Sequence, residues 1–169
     1  MSSHSPLRVL ALCHGNICRS PLAEALLRRE LAAAGIPAVV QSAGTAPWHA
    51  GRPADPRSRE VARRHGLDLE GRARQLDVAD FYEQDLILAM DAMNLTDARR
   101  LSPPNAEARI CLMRDFDPQA PGAEVPDPYS AGPEGFEAVY RMLERSARTF
   151  AMQAREGHLW ETGENGGVD

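Results

Sequence analysis

Apolar positions fall in short runs of strand length, and between them lie segments with a helical period. Leu7–Leu12 (LRVLAL) is suited to a buried strand. In Pro21–Ala34 (PLAEALLRRELAAA), Leu22, Ala25, Leu26 and Ala33 share one side of a helix and Arg28, Arg29 and Glu30 the other. Ser20 is placed to cap this helix, Pro21 suits its first turn and Gly35 ends it. Ile36–Gln41 predicts a second strand, completing a βαβ unit with a right-handed crossover. A Gly/Pro-rich loop then leads to a helix at Arg57–His65, closed by Gly66, and to a short helix at Val78–Tyr82. Strands follow at Asp85–Ala89 and Glu107–Leu112, flanking a helix at Ala92–Leu101 that Pro103 and Pro104 stop. Arg114–Pro133 is too rich in Asp, Pro and Gly to be regular. From Glu134 a long amphipathic helix places Phe136, Val139, Tyr140, Leu143, Ala147 and Phe150 on one core-facing stripe.

Strands alternating with helices predict an open α/β sheet covered on both faces. With 169 residues and no internal repeat or linker, the chain reads as one domain over 1–169, with its core at about 7–152 and a disordered tail at 161–169. A hydrophobic share of 43% against 25% charged residues excludes disordered and fibrous classes. No run is long enough to span a membrane and no secretory leader is recognisable, so a cytoplasmic location and no membrane partner are expected. The net charge of -5 argues against a broad nucleic-acid footprint, although all 19 basic residues are Arg. The Arg28/Arg29, Arg63/Arg64 and Arg99/Arg100 pairs read as solvated helix faces.

Chemistry concentrates in CHGNICRSP, Cys13–Pro21, between the first strand and first helix. A loop at the carboxyl end of a parallel strand is where such sheets bind ligands. Here the backbone N–H groups of His14, Gly15, Asn16, Ile17 and Cys18 can surround a tetrahedral anion beside a helix N-terminus. Gly15 allows a conformation that a side chain resists, and the Asn16 amide can pin the turn. Cys13 supplies a thiolate nucleophile, Arg19 a planar fork for two phosphoryl oxygens, and Ser20 a hydroxyl for the sulfur. A departing alkoxide or phenoxide also needs a proton, and any acidic residue from Asp115 to Asp127 could supply it; Asp127, before Pro128 and Tyr129, is the best placed.

With these residues the chain resembles the low-molecular-weight protein tyrosine phosphatases, in their bacterial type, from Val9 through Phe150. The likeness rests on CHGNICRSP, SAGT with Trp48, ADPRS (Ala54–Ser58), ARQ (Ala73–Gln75), MD (Met90–Asp91), DPQ (Asp117–Gln119) and DPY (Asp127–Tyr129). It implies a three-layer fold with a central four-stranded parallel sheet, a phosphocysteine intermediate, and no metal or organic cofactor. It assigns Asp127 as general acid and base, and leaves Asp117 as a turn residue. Trp48 and Tyr129 become the aromatic walls of a deep crevice. Ile17 favours phosphotyrosine, since phosphoarginine phosphatases of this type tend to carry Thr there. Asn16, Ser42 and Ser20 form a supporting hydrogen-bond network, and Asp91 lends structural support near the site. Many relatives complete that network with a His where this chain has Gly71, which leaves it one donor short. Cys18 is expected to form a reversible disulfide with oxidised Cys13, while Cys111 reads as core.

The partners implied are tyrosine-phosphorylated proteins, a bacterial tyrosine kinase among them, for a monomer or weak homodimer. A metal site is disfavoured, because Cys13, His14 and Cys18 lack a second ligand pair and His4, His49, His65 and His158 are scattered. Arsenate reduction shares the Cys-x5-Arg loop but relays oxidation through a cysteine pair near residues 80–90, absent here. A catalytically silent phosphotyrosine-binding module would have lost Cys13 or Asp127, and both are present.

Overall fold

The computed structural model describes residues 5–160. Four strands, β1 (Leu7–Cys13), β2 (Ala38–Gly44), β3 (Leu86–Ala89) and β4 (Arg109–Leu112), form one parallel sheet in the order β2-β1-β3-β4. Helices α1 (Arg19–Ala33), α2 (Pro56–Arg64), α3 (Val78–Glu83), α4 (Ala92–Leu101) and α5 (Pro133–Glu156) flank it. This is the expected three-layer arrangement. Because the chain leaves β1 toward β2 on one side and later places β3 on the other, the sheet's switch point lies at the carboxyl end of β1, where Cys13 stands.

β1 is buried on both faces. Val9, Ala11 and Cys13 join one apolar cluster with Leu22, Leu26 and the α5 stripe, and Leu10 and Leu12 join a second with Phe81, Ile87 and Ala98. That two-sided burial is why LRVLAL is continuous rather than alternating. The α5 stripe is buried as its period predicts, and Phe116 meets Phe150 edge to face at 4.9 Å and 79°. The expected core position Ala33 is exposed; Ala23, Leu27 and Leu31 take the buried face instead.

Several boundaries differ from expectation for reasons that lie outside the local sequence. β2 starts at Ala38, paired with Leu7, because Ile36 donates its N–H back to Leu31 and Pro37 accepts from Leu7. Helix α1 begins at Arg19, two residues early, with Cys18 at the N-cap position and no side-chain cap. Ser20 is therefore not a cap: it lies inside the first turn, buried, and its hydroxyl serves the neighbouring loop. At the start of the stretch expected to be irregular, Arg114–Pro133, a 3₁₀ turn over Met113–Phe116 runs on from β4. Asp117, which follows it, is more than a turn residue. Its fully buried carboxylate accepts from Arg114 Nε at 2.9 Å, from Arg145 Nε and Nη2 at 3.1 Å each, and from the Gln119 N–H at 3.0 Å. No described helix is long and apolar enough to cross a membrane, and the expected tail at 161–169 lies outside the described residues.

Candidate active site

The segment between β1 and α1 curls around a cavity of about 160 Å³ lined by Cys13, His14, Gly15, Ile17, Cys18, Arg19, His49, Asp127 and Tyr129. Cys13 is at its floor, 2% exposed. Its Sγ receives the Asn16 N–H at 3.3 Å and lies 3.0 Å from Ser20 Oγ. Asn16 Nδ2 donates to Ser20 Oγ at 2.7 Å, which occupies a lone pair there and frees the Ser20 hydrogen to point at the sulfur. Helix α1 has neither a side-chain cap nor an acidic residue in its first turn, so its leading N–H groups and positive end remain available to an anion in the cavity.

Arg19 is 2% exposed, yet only one of its nitrogens is taken: Nη1 donates to Asp91 Oδ2 at 2.7 Å and to the Val125 carbonyl at 3.0 Å. Nε and Nη2 make no hydrogen bond among the described residues and are the fork left for a ligand. Burial works against this guanidinium, but the Cys13 sulfur and the Asp91 carboxylate outweigh it and hold its pKa above the ordinary value. Asp91 has a second task, capping α4 by accepting from the Asn94 N–H at 2.8 Å.

Asn16 is the loop's one left-handed residue, at φ 59°. Its amide donates to Ser20 and to Ser42 Oγ at 3.0 Å, and its carbonyl oxygen accepts the Arg74 N–H at 3.0 Å. Ser42 in turn donates to Glu24 Oε1 at 2.5 Å, and Arg28 holds the other oxygen of Glu24 at 2.6 Å. The network expected to be a donor short is thus closed by the backbone of Arg74 and anchored by Glu24. Arg72 takes no part in it and bonds the Gly51 carbonyl instead. At Gly71 an added Cβ would meet no atom within 4 Å, and a cavity of about 230 Å³ opens there behind the loop, reaching Asn16, Glu24 and Ser42.

The glycine logic also differs from expectation. Gly15 is not in a left-handed conformation; a Cβ there would strike His49 Cδ2 at 2.8 Å. The tighter constraint falls on Gly44, where a Cβ would lie 2.7 Å from the His14 carbonyl oxygen and 3.0 Å from the Gly15 carbonyl carbon. Cys18 is a buried thiol whose pKa is pushed up to about 12 by burial and by Asp55, Cys13 and Asp127 around it, only partly relieved by Ser58. Burial does the same to Cys111, which sits in the core as expected.

At the cavity mouth, Asp127 Oδ1 accepts the Tyr129 N–H at 3.0 Å, and both residues are exposed. Trp48 is 68% exposed and does not line the cavity itself; its Nε1 donates to Nε2 of His14, which does. Four participants are not singled out by the sequence. His49 lines the cavity although it lacks any ligand-like spacing, Val125 holds Arg19 through its carbonyl, Glu24 anchors the network, and Arg57 bonds the Tyr129 carbonyl at 2.7 Å. The helical i, i+4 spacing of Glu24 and Arg28 was the only visible pointer among them.

A thiol at the floor of an N–H cradle, a buried guanidinium with a free fork and a carboxyl at the rim define a cysteine-based phosphatase. The family model for low molecular weight phosphotyrosine protein phosphatase matches residues 8–158. The low molecular weight protein-tyrosine-phosphatase of Streptomyces coelicolor is 42% identical over 154 residues, covering 88% of this chain and 94% of that one. A crystal structure of a protein tyrosine phosphatase from Entamoeba histolytica superposes with a TM-score of 0.86 at 34% identity, over 90% of this chain and 99% of that one. The Drosophila arginine phosphatase DARP superposes with a TM-score of 0.81 at 30% identity, over 88% and 98%. The chain belongs to the low molecular weight phosphotyrosine protein phosphatase family. Its relatives come from bacteria and eukaryotes alike, so the assignment is to the family as a whole rather than to a bacterial branch.

Proposed function

We propose that this enzyme hydrolyses phosphotyrosine in proteins through a phosphocysteine on Cys13. The observation that carries the reading is the depth of the sulfur, 2% exposed beneath a rim bearing Tyr129 and Asp127. Only a phosphoryl group at the end of a long, flat side chain reaches it. The Cys13 thiolate attacks phosphorus and the P–O bond to the aryl group breaks, its electron pair leaving with the phenolic oxygen. Asp127 protonates that oxygen. Arg19 and the loop N–H groups hold the non-bridging oxygens as their charge redistributes. In the second step Asp127, now a carboxylate, takes a proton from water; the water oxygen bonds phosphorus and the S–P pair returns to sulfur, steadied by Ser20.

His14, Gly15, Ile17 and Cys18 surround the bound phosphate, while Trp48, held by His14, and Tyr129 flank the tyrosyl ring. Ile17 and these aromatics favour phosphotyrosine over phosphoarginine, although DARP shares the fold. Asn16 and Ser42 support the loop from behind. The substrates are tyrosine-phosphorylated proteins. The Lys-free, Ala/Arg-rich composition supports a bacterial source, for which a tyrosine kinase is a natural substrate.

The test is the rate of phosphocysteine formation across aryl phosphates of graded leaving-group pKa, measured by burst kinetics. Asp127→Ala should lose on the order of 10²–10⁴ with phenyl phosphate and far less with an activated ester, while Cys13→Ser forms no intermediate. Parallel dependences in parent and Asp127→Ala would remove Asp127 as the acid. Preferential hydrolysis of phosphoarginine peptides would overturn the substrate assignment.

A further inference from the structure

Arg57 lies in the first turn of α2, outside the phosphate cradle, yet it joins the two halves of the site. Its side chain grips Asp55, the N-cap of α2, through Nε at 3.0 Å and Nη2 at 2.9 Å. Its remaining nitrogen, Nη1, donates to the Tyr129 carbonyl at 2.7 Å. The guanidinium carbon also lies over two rings, 5.0 Å from the centre of Tyr129 and 4.7 Å from that of Phe136. Asp55 and its helix are in turn fixed to the phosphate loop: the Asp55 N–H donates to the Ile17 carbonyl at 2.8 Å and Ser58 Oγ to the Cys18 carbonyl at 3.2 Å. On the other side, the Tyr129 N–H is what orients the Asp127 carboxylate. An unbroken series of contacts therefore runs from the nucleophile's loop through Asp55 and Arg57 to Tyr129 and Asp127.

We propose that Arg57 is a latch that sets the position of the acid relative to the nucleophile, holding the Asp127–Tyr129 loop over the cavity. This rests on the assignment of Asp127 as general acid. Asp55 keeps the latch from swinging: two of the guanidinium nitrogens are committed to its carboxylate, the third donates to the Tyr129 carbonyl, and the Tyr129 and Phe136 rings add cation–π contact. Arg57 is a positioning residue and touches no reacting atom.

Phosphocysteine formation should be measured for the parent, Arg57→Gln, Asp127→Ala and the double variant with the same graded aryl phosphates. The Asp55 side chain still accepts the backbone N–H of residue 57 in Arg57→Gln, so the helix cap survives. With the acid displaced but still present, Arg57→Gln should lose about tenfold with phenyl phosphate, a fraction of the full acid contribution. It should lose no more than about twofold with p-nitrophenyl phosphate, whose leaving group needs the proton less. The inhibition constant for inorganic phosphate, which the loop binds without the acid, should stay within about twofold. In the Asp127→Ala background the same substitution should add nothing with phenyl phosphate. If Arg57→Gln does not fold, Arg57→Lys, which keeps the charge and loses the fork, should show the same selectivity at smaller size. An equal loss on every ester, or a full loss in the Asp127→Ala background, would overturn the latch. Parallel leaving-group dependences in the parent and Asp127→Ala would instead overturn the acid assignment beneath it, so the two failures are separable.

Discussion

Replacing Asp117 by Asn removes one charge at nearly constant volume from the centre of a buried ionic cluster. The carboxylate is 0% exposed, while the side chains of Arg114 and Arg145 are 10% and 28% exposed. Asn keeps one acceptor oxygen but turns an NH₂ group toward guanidinium donors, so hydrogen bonds are lost and Arg114 remains an unpaired buried charge. Breaking a buried pair by removing one partner destabilises by about 3–5 kcal/mol. Arg145, more than a quarter exposed, can turn to water and recover part of this, which leaves about 2–4 kcal/mol. For a chain of 169 residues that is a fall in Tm of roughly 4–16 °C. pH supplies an independent check. Burial pushes the Asp117 carboxyl up, but the hydrogen bonds from Arg145, Gln119 and Arg114 outweigh it and hold the pKa below the usual carboxylate range. A lowered folded-state pKa contributes stability above the unfolded value, near about 3.9, and loses it as pH falls toward the folded one. Urea unfolding at pH 7 should therefore show the full difference between parent and Asp117→Asn, and the difference should shrink below about pH 4. A loss under about 1 kcal/mol at pH 7, or one that does not shrink in acid, would refute the reasoning.

Arg19→Lys keeps the positive charge without the planar fork, and kcat for aryl phosphates should collapse while the fold persists; an unchanged kcat would show that a point charge suffices. Cys18 reacts as a thiolate, so with its thiol pushed up to about 12, closure of a Cys13–Cys18 disulfide after peroxide should speed about tenfold per pH unit between pH 6 and 9. Peptide mapping reads this, and full recovery of peroxide-treated Cys18→Ser by dithiothreitol would argue against a protective role. At Gly71 a methyl group meets open space, so Gly71→Ala should raise stability by about 0.4–1 kcal/mol in urea unfolding without changing kcat; a fall in stability would mean the backbone there needs glycine.

Local pattern carried the layers of this fold further than its edges. The α5 stripe is legible because an amphipathic helix announces itself through its own period, and CHGNICRSP because strand, cradle and helix start are contiguous. Strand ends depend on a partner: Ala38 begins β2 because Leu7 is opposite, a fact that neither residue contains. Ser20 reads as a cap locally, but Cys13 and Asn16 offer its hydroxyl better partners once β1 and α1 pack together. The same distance hides Arg57 from Tyr129, 72 positions away, and Asp117 from Arg145, 28 away. In the sequence Asp117 reads as a turn residue, and Arg57, although part of the ADPRS segment, carries no pointer to Tyr129. Gly44 belonged to a recognisable SAGT segment, yet its reason, the close passage of the His14 carbonyl, exists only in three dimensions.

The cradle around Cys13 is braced from behind: Arg19 by Asp91 and Val125, and Asn16 by Ser20, Ser42 and Arg74. What this rigid shell recognises is the phosphoryl group, the one part of the substrate that survives as the second product. Any tightening of the shell toward the substrate tightens it equally toward inorganic phosphate, since both present the same oxygens to the same N–H groups. With Trp48 and Tyr129 flanking the tyrosyl ring as proposed, discrimination between the two would fall to those aromatics. Inorganic phosphate should therefore raise the apparent KM for a phosphotyrosine peptide without lowering kcat, so that product left in solution opposes each new substrate at the same oxygens.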